Sequence, residues 1–347
     1  MKLLHLISEK PPVISGFSRV ISKLTEELTN MGHEVHVLCA RDCNIKLVGD
    51  IKLVTGTDNI HRYIRNGNYD VINIHGHTPT FSDRLLLDSK LYGNRVVYVL
   101  HCMVNCYFKP LFTLYNSVFN NVLLRLADAV VVSSESYYNL VQGCPRKYVV
   151  PWGVDVEKFS GNRATHNGYK LLFVGQMRPY KGLDVFLQAM NKLDAELNIV
   201  GDGPYKSRYE KYAQKLGLRN INFYGNVSDD QLRQMYLSSD VLVLPSVSLN
   251  EAFGLVTLEA ASAGCAVVAS DLPGLRDVVK EFGLLVKPND PNELRDALLT
   301  LGDRAVREQY VTKGKEVVKE YSWQRVAENY TKIYSEAISG DYTPITY

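Results

Sequence analysis

The stretch that decides the fold runs Val241-Leu242-Val243-Leu244-Pro245-Ser246, then Asn250-Glu251-Ala252-Phe253-Gly254-Leu255-Val256-Thr257-Leu258-Glu259-Ala260-Ala261-Ser262-Ala263-Gly264. Four apolar residues closed by Pro and Ser read as a buried parallel strand, and the residues after Gly254 read as a helix. Glu251 falls in the loop and Glu259 early in the helix. Gly254 lies between them, where the helix begins. A helix N-terminus offers unpaired N–H groups and a positive dipole end, so it suits a phosphate. A carboxylate on each side accepts hydrogen bonds from hydroxyls. Anion donors flanked by carboxylates are the complement of a sugar nucleotide: diphosphate in the middle, sugar at one end, ribose at the other. Two glutamates at this spacing are ordinarily just solvated charges. The weight comes from their order: strand, Glu, Phe-Gly, helix, Glu, Gly264 and another apolar strand.

The same alternation spreads in both directions. Strand patterns lie at Lys170–Val174, Glu196–Val200, Ile221–Tyr224, Val241–Leu244, Ala266–Ser270 and Leu284–Val286, with helical stretches between them. Upstream they lie at Lys2–Ile7, Glu34–Cys39, Ile51–Val54, Val71–Ile74, Arg95–Leu100, Ala129–Ser133 and Tyr148–Pro151. Phe17, Val20, Ile21, Leu24, Leu28 and Met31 form a helical stripe that Gly32 ends. Strand, helix and parallel strand need a crossover, so each half is a doubly wound α/β domain. Ser160–Tyr169, with two Gly and two Asn, reads as a linker. The expected domains are 1–155 and 156–322, followed by a terminal helix and tail over 323–347. The stripe from Phe108 to Leu126 carries no Lys/Arg cluster on its other face, so it is expected to cover the sheet rather than lie on a lipid surface.

Composition excludes other classes. The chain has 347 residues, 46% hydrophobic and 22% charged, with a net charge of +2. That is an ordinary globular protein with no strong pull toward nucleic acid. Basic residues outnumber acidic ones over residues 1–150. This is compatible with an anionic acceptor or a peripheral membrane contact, though ordinary surface variation explains it more simply. None of the six cysteines forms a Cys-x2-Cys pair, so they are expected to be reduced thiols. With neither a leader pattern nor an apolar run of about 20 residues, a cytoplasmic location is expected.

Ligands of open α/β sheets bind beyond the carboxyl ends of the strands. The residues there are Gly16, His75, His77 and His101 in the first half. In the second half they are Gly175-Gln176-Met177-Arg178-Pro179-Tyr180-Lys181-Gly182 and Gly201-Asp202-Gly203. Arg178 and Lys181, bracketed by glycines ahead of a helix, suit a diphosphate clamp. The Gly-x-Gly at residues 201–203 lacks the third glycine of a dinucleotide fingerprint. A lone histidine at a strand end is more often structural than functional.

Together the Glu-x7-Glu stretch and the Gly175–Gly182 loop resemble the retaining GT-B glycosyltransferases of the family 4 type. The resemblance covers nearly all of the second half and is looser over residues 1–150. It implies two Rossmann-like domains facing a central cleft. It also implies donor-sugar contact by Glu251, ribose binding by Glu259, and a role at the reaction centre for His101. Lys181 and Arg178 would hold the leaving diphosphate, although the family's arginine often stands where this chain has Gln176. Gly16, Gly175, Gly201, Gly203, Phe253, Gly254 and Leu255 would line the donor, with His75 and His77 on the acceptor side. The implied donor is a UDP-, GDP- or ADP-sugar, and the implied acceptor is a glycan, glycolipid or small molecule. Neither cofactor nor metal is expected, because no Asp-x-Asp pair occurs. A GT-B nucleotide-sugar epimerase, a phosphorylase and a non-catalytic nucleotide-sugar binder are the competing classes.

Overall fold

The computed structural model describes residues 1–8, 16–39, 44–48, 51–55, 58–76, 78, 80–101, 109–144 and 146–341. The chain divides into two compact units: Met1–Gly153 with Trp323–Tyr347, and Val154–Ser322.

The first unit contains β1 (Lys2–Ile7), β2 (Glu34–Cys39), β3 (Asn44–Val48), β4 (Ile51–Thr55), β5 (Val71–Gly76), β6 (Val96–Leu100), β7 (Ala129–Val132) and β8 (Lys147–Val149). Six of these form a sheet in the order β2-β1-β5-β6-β7-β8, parallel throughout. Its central strands are buried along their whole length, as helices on both faces require. Helix Gly16–Asn30 buries Val20, Ile21, Leu24 and Leu28. It packs against helix Trp323–Ser339, which also lies on β5 and β6. Polar contacts fasten that terminal helix: Tyr148 donates to Glu336 Oε2 at 2.5 Å, and Asn73 Nδ2 donates to Tyr334 Oη at 2.7 Å.

Two sequence expectations fail here for local reasons. The Ile51–Val54 strand does not join the parallel series. It pairs antiparallel with β3, a strand that periodicity did not reveal. Only residues 49 and 50 join the two strands, far short of a parallel crossover. The Phe108–Leu126 stripe is also not one sheet-facing helix. The helix covers Lys109–Asn121, and a 3-10 turn follows over Leu123–Leu126. Phe119 and Leu124 enter the core, whereas Leu114, Val118, Val122 and Leu126 are 63%, 48%, 57% and 39% exposed. Phe108 lies outside the described residues.

The second unit contains β9 (Lys170–Val174), β10 (Glu196–Val200), β11 (Ile221–Gly225), β12 (Val241–Leu244), β13 (Ala266–Ser270) and β14 (Leu284–Val286), ordered β11-β10-β9-β12-β13-β14. This sheet too is parallel throughout. Two doubly wound α/β halves are thus the architecture that the strand and helix periods predict. The residues expected to form a linker instead pack on the second unit. Arg163 Nη1 donates to the Gly264 carbonyl at 2.6 Å and its Nη2 to that of Ser239 at 2.5 Å. Gly and Asn marked an irregular segment correctly, but a guanidinium bridging carbonyls holds it down. No helix among the described residues is long and apolar enough to cross a membrane. Cys144 and Cys265 are buried free thiols.

Candidate active site

In the second sheet the strand order reverses between β9 and β12, and a crevice forms at such a switch point beyond the strand ends. The loop after β9 carries Lys181 and the loop after β12 carries Ser246 and Glu251. Lys181 Nζ donates to Glu251 Oε2 at 2.5 Å, and Ser246 Oγ donates to the same oxygen at 3.0 Å. Both ionic side chains are about nine-tenths buried. Burial alone would pull the Lys181 ammonium down; the Glu251 carboxylate and Tyr180 outweigh it and hold the ammonium above its ordinary value.

Backbone geometry brings these loops together. Gly201 has φ +128°, and a Cβ there would sit 2.0 Å from the Gly175 carbonyl oxygen. Only glycine allows that approach of the turns after β9 and β10. Gly203 follows, with its N–H donated to Asp202 Oδ1 at 2.7 Å. Gly254, at φ +80°, caps helix Leu255–Ser262, and a Cβ there would meet Leu275 at 2.5 Å. Leu255, the first helical residue, is half-buried.

The remaining donor-side expectations separate. Glu259 is buried within the helix and its Oε2 accepts from Tyr236 Oη at 2.7 Å. Phe253 is 1% exposed and packs edge-on against Tyr321. Arg178 is exposed, with its Nε donating to Gln176 Oε1 at 3.0 Å. The glutamine in the family arginine's place therefore orients the cation two residues on.

In the first sheet the order reverses between β1 and β5. Gly16 opens a helix and is exposed. His75 is the fifth residue of β5, and His101 follows β6. They are joined by His75 Nδ1···His101 Nε2 at 3.0 Å. His5 of β1 completes a row, with His5 Nδ1···His75 Nε2 at 3.1 Å. His77 lies outside the described residues. Phe17 meets the His101 ring edge-on at 4.7 Å, and Trp152 lies 5.3 Å from it. Burial pushes His5 and His101 down to about 3. It also drives His75 well below the ordinary imidazole value, and the two neighbouring imidazoles add to the effect. All three are neutral at pH 7.

Ser246, Tyr236 and His5 are the members that sequence reasoning missed. His5 was signalled by its place inside the apolar run of β1, since a buried polar group needs a partner. The Ser246 and Tyr236 contacts carried no such signal.

Two doubly wound parallel halves, one with a lysine–glutamate pair at its switch point, define a two-domain Rossmann-like class of protein with a charged ligand site. A family model described as glycosyl transferases group 1 matches residues 155–317, and one described as glycosyltransferase family 4 matches residues 14–158. Phosphatidyl-myo-inositol mannosyltransferase from Mycobacterium tuberculosis (strain ATCC 25618 / H37Rv) is 31% identical over 302 residues, covering 81% of this chain and 77% of that protein. The chain belongs to the group 1, family 4-type glycosyltransferases. Shorter matches to two uncharacterized glycosyltransferases of Methanocaldococcus jannaschii span only about half of this chain and of those proteins. Among solved structures, sucrose-phosphate synthase from Thermosynechococcus elongatus superposes with a TM-score of 0.83 at 21% identity, covering 98% of this chain and 100% of that one. Anabaena HepE, in complex with UDP and glucose, gives 0.76 at 18%, covering 96% and 99%. At these identities the likeness shows the fold alone.

Proposed function

We propose that the protein transfers a hexosyl group from a nucleoside diphosphate sugar to a glycan or lipid-linked acceptor, with retention at the anomeric carbon. The observation that carries this reading is the buried Lys181–Glu251–Ser246 cluster beside the helix start at Gly254. Glu251 holds Lys181 ready, and a diphosphate entering the crevice takes up the ammonium's remaining donors. Glu251 keeps its second oxygen for a sugar hydroxyl. Glu259, fixed by Tyr236, binds the ribose hydroxyls. In the reaction the bond from the anomeric carbon to the diphosphate oxygen breaks, and the acceptor hydroxyl oxygen bonds that carbon on the same face. Its proton passes to the departing phosphate oxygen, so no enzyme nucleophile is required. Lys181, Arg178 and the backbone N–H groups near Gly254 stabilise the charge on the leaving group. His101 takes the role at the reaction centre that the family resemblance implies for it.

The relatives named as mannosyl and rhamnosyl transferases support hexosyl transfer, and the UDP complexes of a fold neighbour support a nucleotide-sugar donor without choosing its base. A thermal-shift screen of UDP-, GDP- and ADP-sugars on EDTA-treated protein tests the reading. One sugar nucleotide at 100 times its Kd is expected to stabilise by ~2.7 kcal/mol without added metal. Glu259→Ala is expected to remove most of that shift. No shift with any donor would sink the proposal, and a shift that requires magnesium or manganese would sink its metal independence.

The exposed row Leu114, Val118 and Val122 supports a peripheral membrane contact. Tyr115 donates to Asp83 Oδ2 at 2.8 Å, which brings helix Ser82–Leu91 alongside with its own exposed Leu87 and Leu91. Arg84, Arg95 and Arg125 of the same unit are exposed, the first two beside Asp88 and Asp128, and exposed cations together with apolar side chains favour anionic lipid. The full chain is expected to float with phosphatidylglycerol-containing vesicles, and Leu114→Glu with Val118→Glu to stay behind. Equal flotation of that double variant would remove this surface from consideration.

A further inference from the structure

Three imidazoles cross the first sheet in line. His5, His75 and His101 come from or follow the adjacent strands β1, β5 and β6, and all are 7% exposed or less. Successive rings stack with centroids 5.2 Å apart. One end of the row meets Tyr334 of the terminal helix, with its Oη 3.4 Å from His5 Nε2. Asn73 Nδ2 donates to the same Oη at 2.7 Å. At the other end His101 Nδ1 is buried, and it has no hydrogen-bond partner among the described residues.

A neutral imidazole has one donor and one acceptor nitrogen, so each hydrogen bond in the row dictates the next. Because Asn73 donates to Tyr334 Oη, the hydroxyl proton is free to point at His5 Nε2. His5 Nδ1–H then donates to His75 Nε2, and His75 Nδ1–H donates to His101 Nε2. The proton of His101 is left on Nδ1, the buried nitrogen without a partner among the described residues. The reverse order would strand the Tyr334 hydroxyl proton. The Asn73 amide is turned so that its Nδ2 donates to Tyr334, and its own Oδ1 is left buried without a partner among the described residues. Each unpaired buried polar group costs about 1–3 kcal/mol, so with Asn73 donating to Tyr334 the first order, which leaves no hydroxyl proton stranded, prevails.

We infer that His5 and His75 are positioning residues. They carry the polarity set by Tyr334 across the sheet and lock His101 as its Nδ1–H tautomer, a neutral donor to a substrate oxygen. This rests on the reading that His101 acts at the reaction centre. The row explains why His5 and His75 occupy strand positions where a parallel sheet ordinarily places Val or Ile. It also gives the terminal helix a chemical role beyond packing.

The test is a long-range proton–nitrogen NMR correlation on full-length protein with nitrogen-15-labelled histidine, with His101 assigned from His101→Gln. The expected wild-type spectrum shows His101 protonated at Nδ1 and bare at Nε2. Tyr334→Phe keeps the ring and removes the donor. It should shift His101 toward the Nε2–H form and lower kcat about tenfold, the lower end for loss of a supporting partner, with donor KM little changed. A His101 protonated at Nε2 in the wild type, or unmoved by Tyr334→Phe, would overturn the inference. The tautomer is read without substrate, so a failed donor reading would leave the spectrum standing, and a failed spectrum would leave donor binding standing.

Discussion

Lys181→Ala is expected to lower turnover by about 10²–10³ at saturating donor, the scale for removing one stabiliser of transition-state charge. The structure adds a second consequence. Glu251 is 8% exposed and one of its oxygens is held by both Lys181 and Ser246. Removing the ammonium leaves a buried carboxylate with a hydroxyl in place of a counter-charge. Breaking one side of a buried ion pair typically costs about 3–5 kcal/mol. Activity and stability therefore fall together in the single variant, and a second substitution separates them. Lys181→Ala combined with Glu251→Gln removes the stranded charge and should recover much of the lost melting temperature. It should recover none of the turnover, because the cation that meets the diphosphate is still missing. Wild-type turnover in Lys181→Ala at saturating donor would reduce the pair to a structural ion pair.

Acid is expected to unfold the first unit through its histidine row. His5 and His101 are pushed down to about 3 and His75 is also strongly lowered, in each case chiefly by burial. The folded state holds these rings neutral, while in the unfolded chain they take up protons near 6.5. Between those values the unfolded state binds more protons, so stability is fully present above about 6.5 and drains as pH falls toward 3. Each ring contributes a slope of up to about 1.4 kcal/mol per pH unit. Aromatic rings, amide and hydroxyl surround the row: Phe17, Trp152, Asn73 and Tyr334. None of these contacts supplies a carboxylate to neutralise an imidazolium. Both tryptophans, Trp152 and Trp323, belong to the first unit, so their fluorescence reports that unit alone. The urea midpoint followed this way should drop steadily from pH 7 to pH 5. A flat midpoint over that interval would show that the rings are paired or hydrated in a way that tolerates charge.

Much of this protein was legible from local pattern. In a parallel sheet covered on both faces, each strand is a short apolar run and each crossover a helix with its own stripe. Both signals lie within a few residues of one another, so both doubly wound halves, the Glu251–Glu259 stretch and the Lys181 loop could be read directly. The failures were equally local in origin. Apolar character did not distinguish a hairpin arm at Ile51–Thr55 from a sheet strand, and a helical stripe did not show that the helix stops at Asn121. Pairings between residues far apart in the chain were decided only by tertiary structure. Lys181 with Glu251 and His5 with His75 each bridge 70 residues, and Tyr334 reaches His5 across 329. The strand order that brings β1 beside β5, and β9 beside β12, sets these meetings. A buried donor finds its acceptor through the packed sheet, and hydropathy along the chain carries no record of which strand will lie next to which.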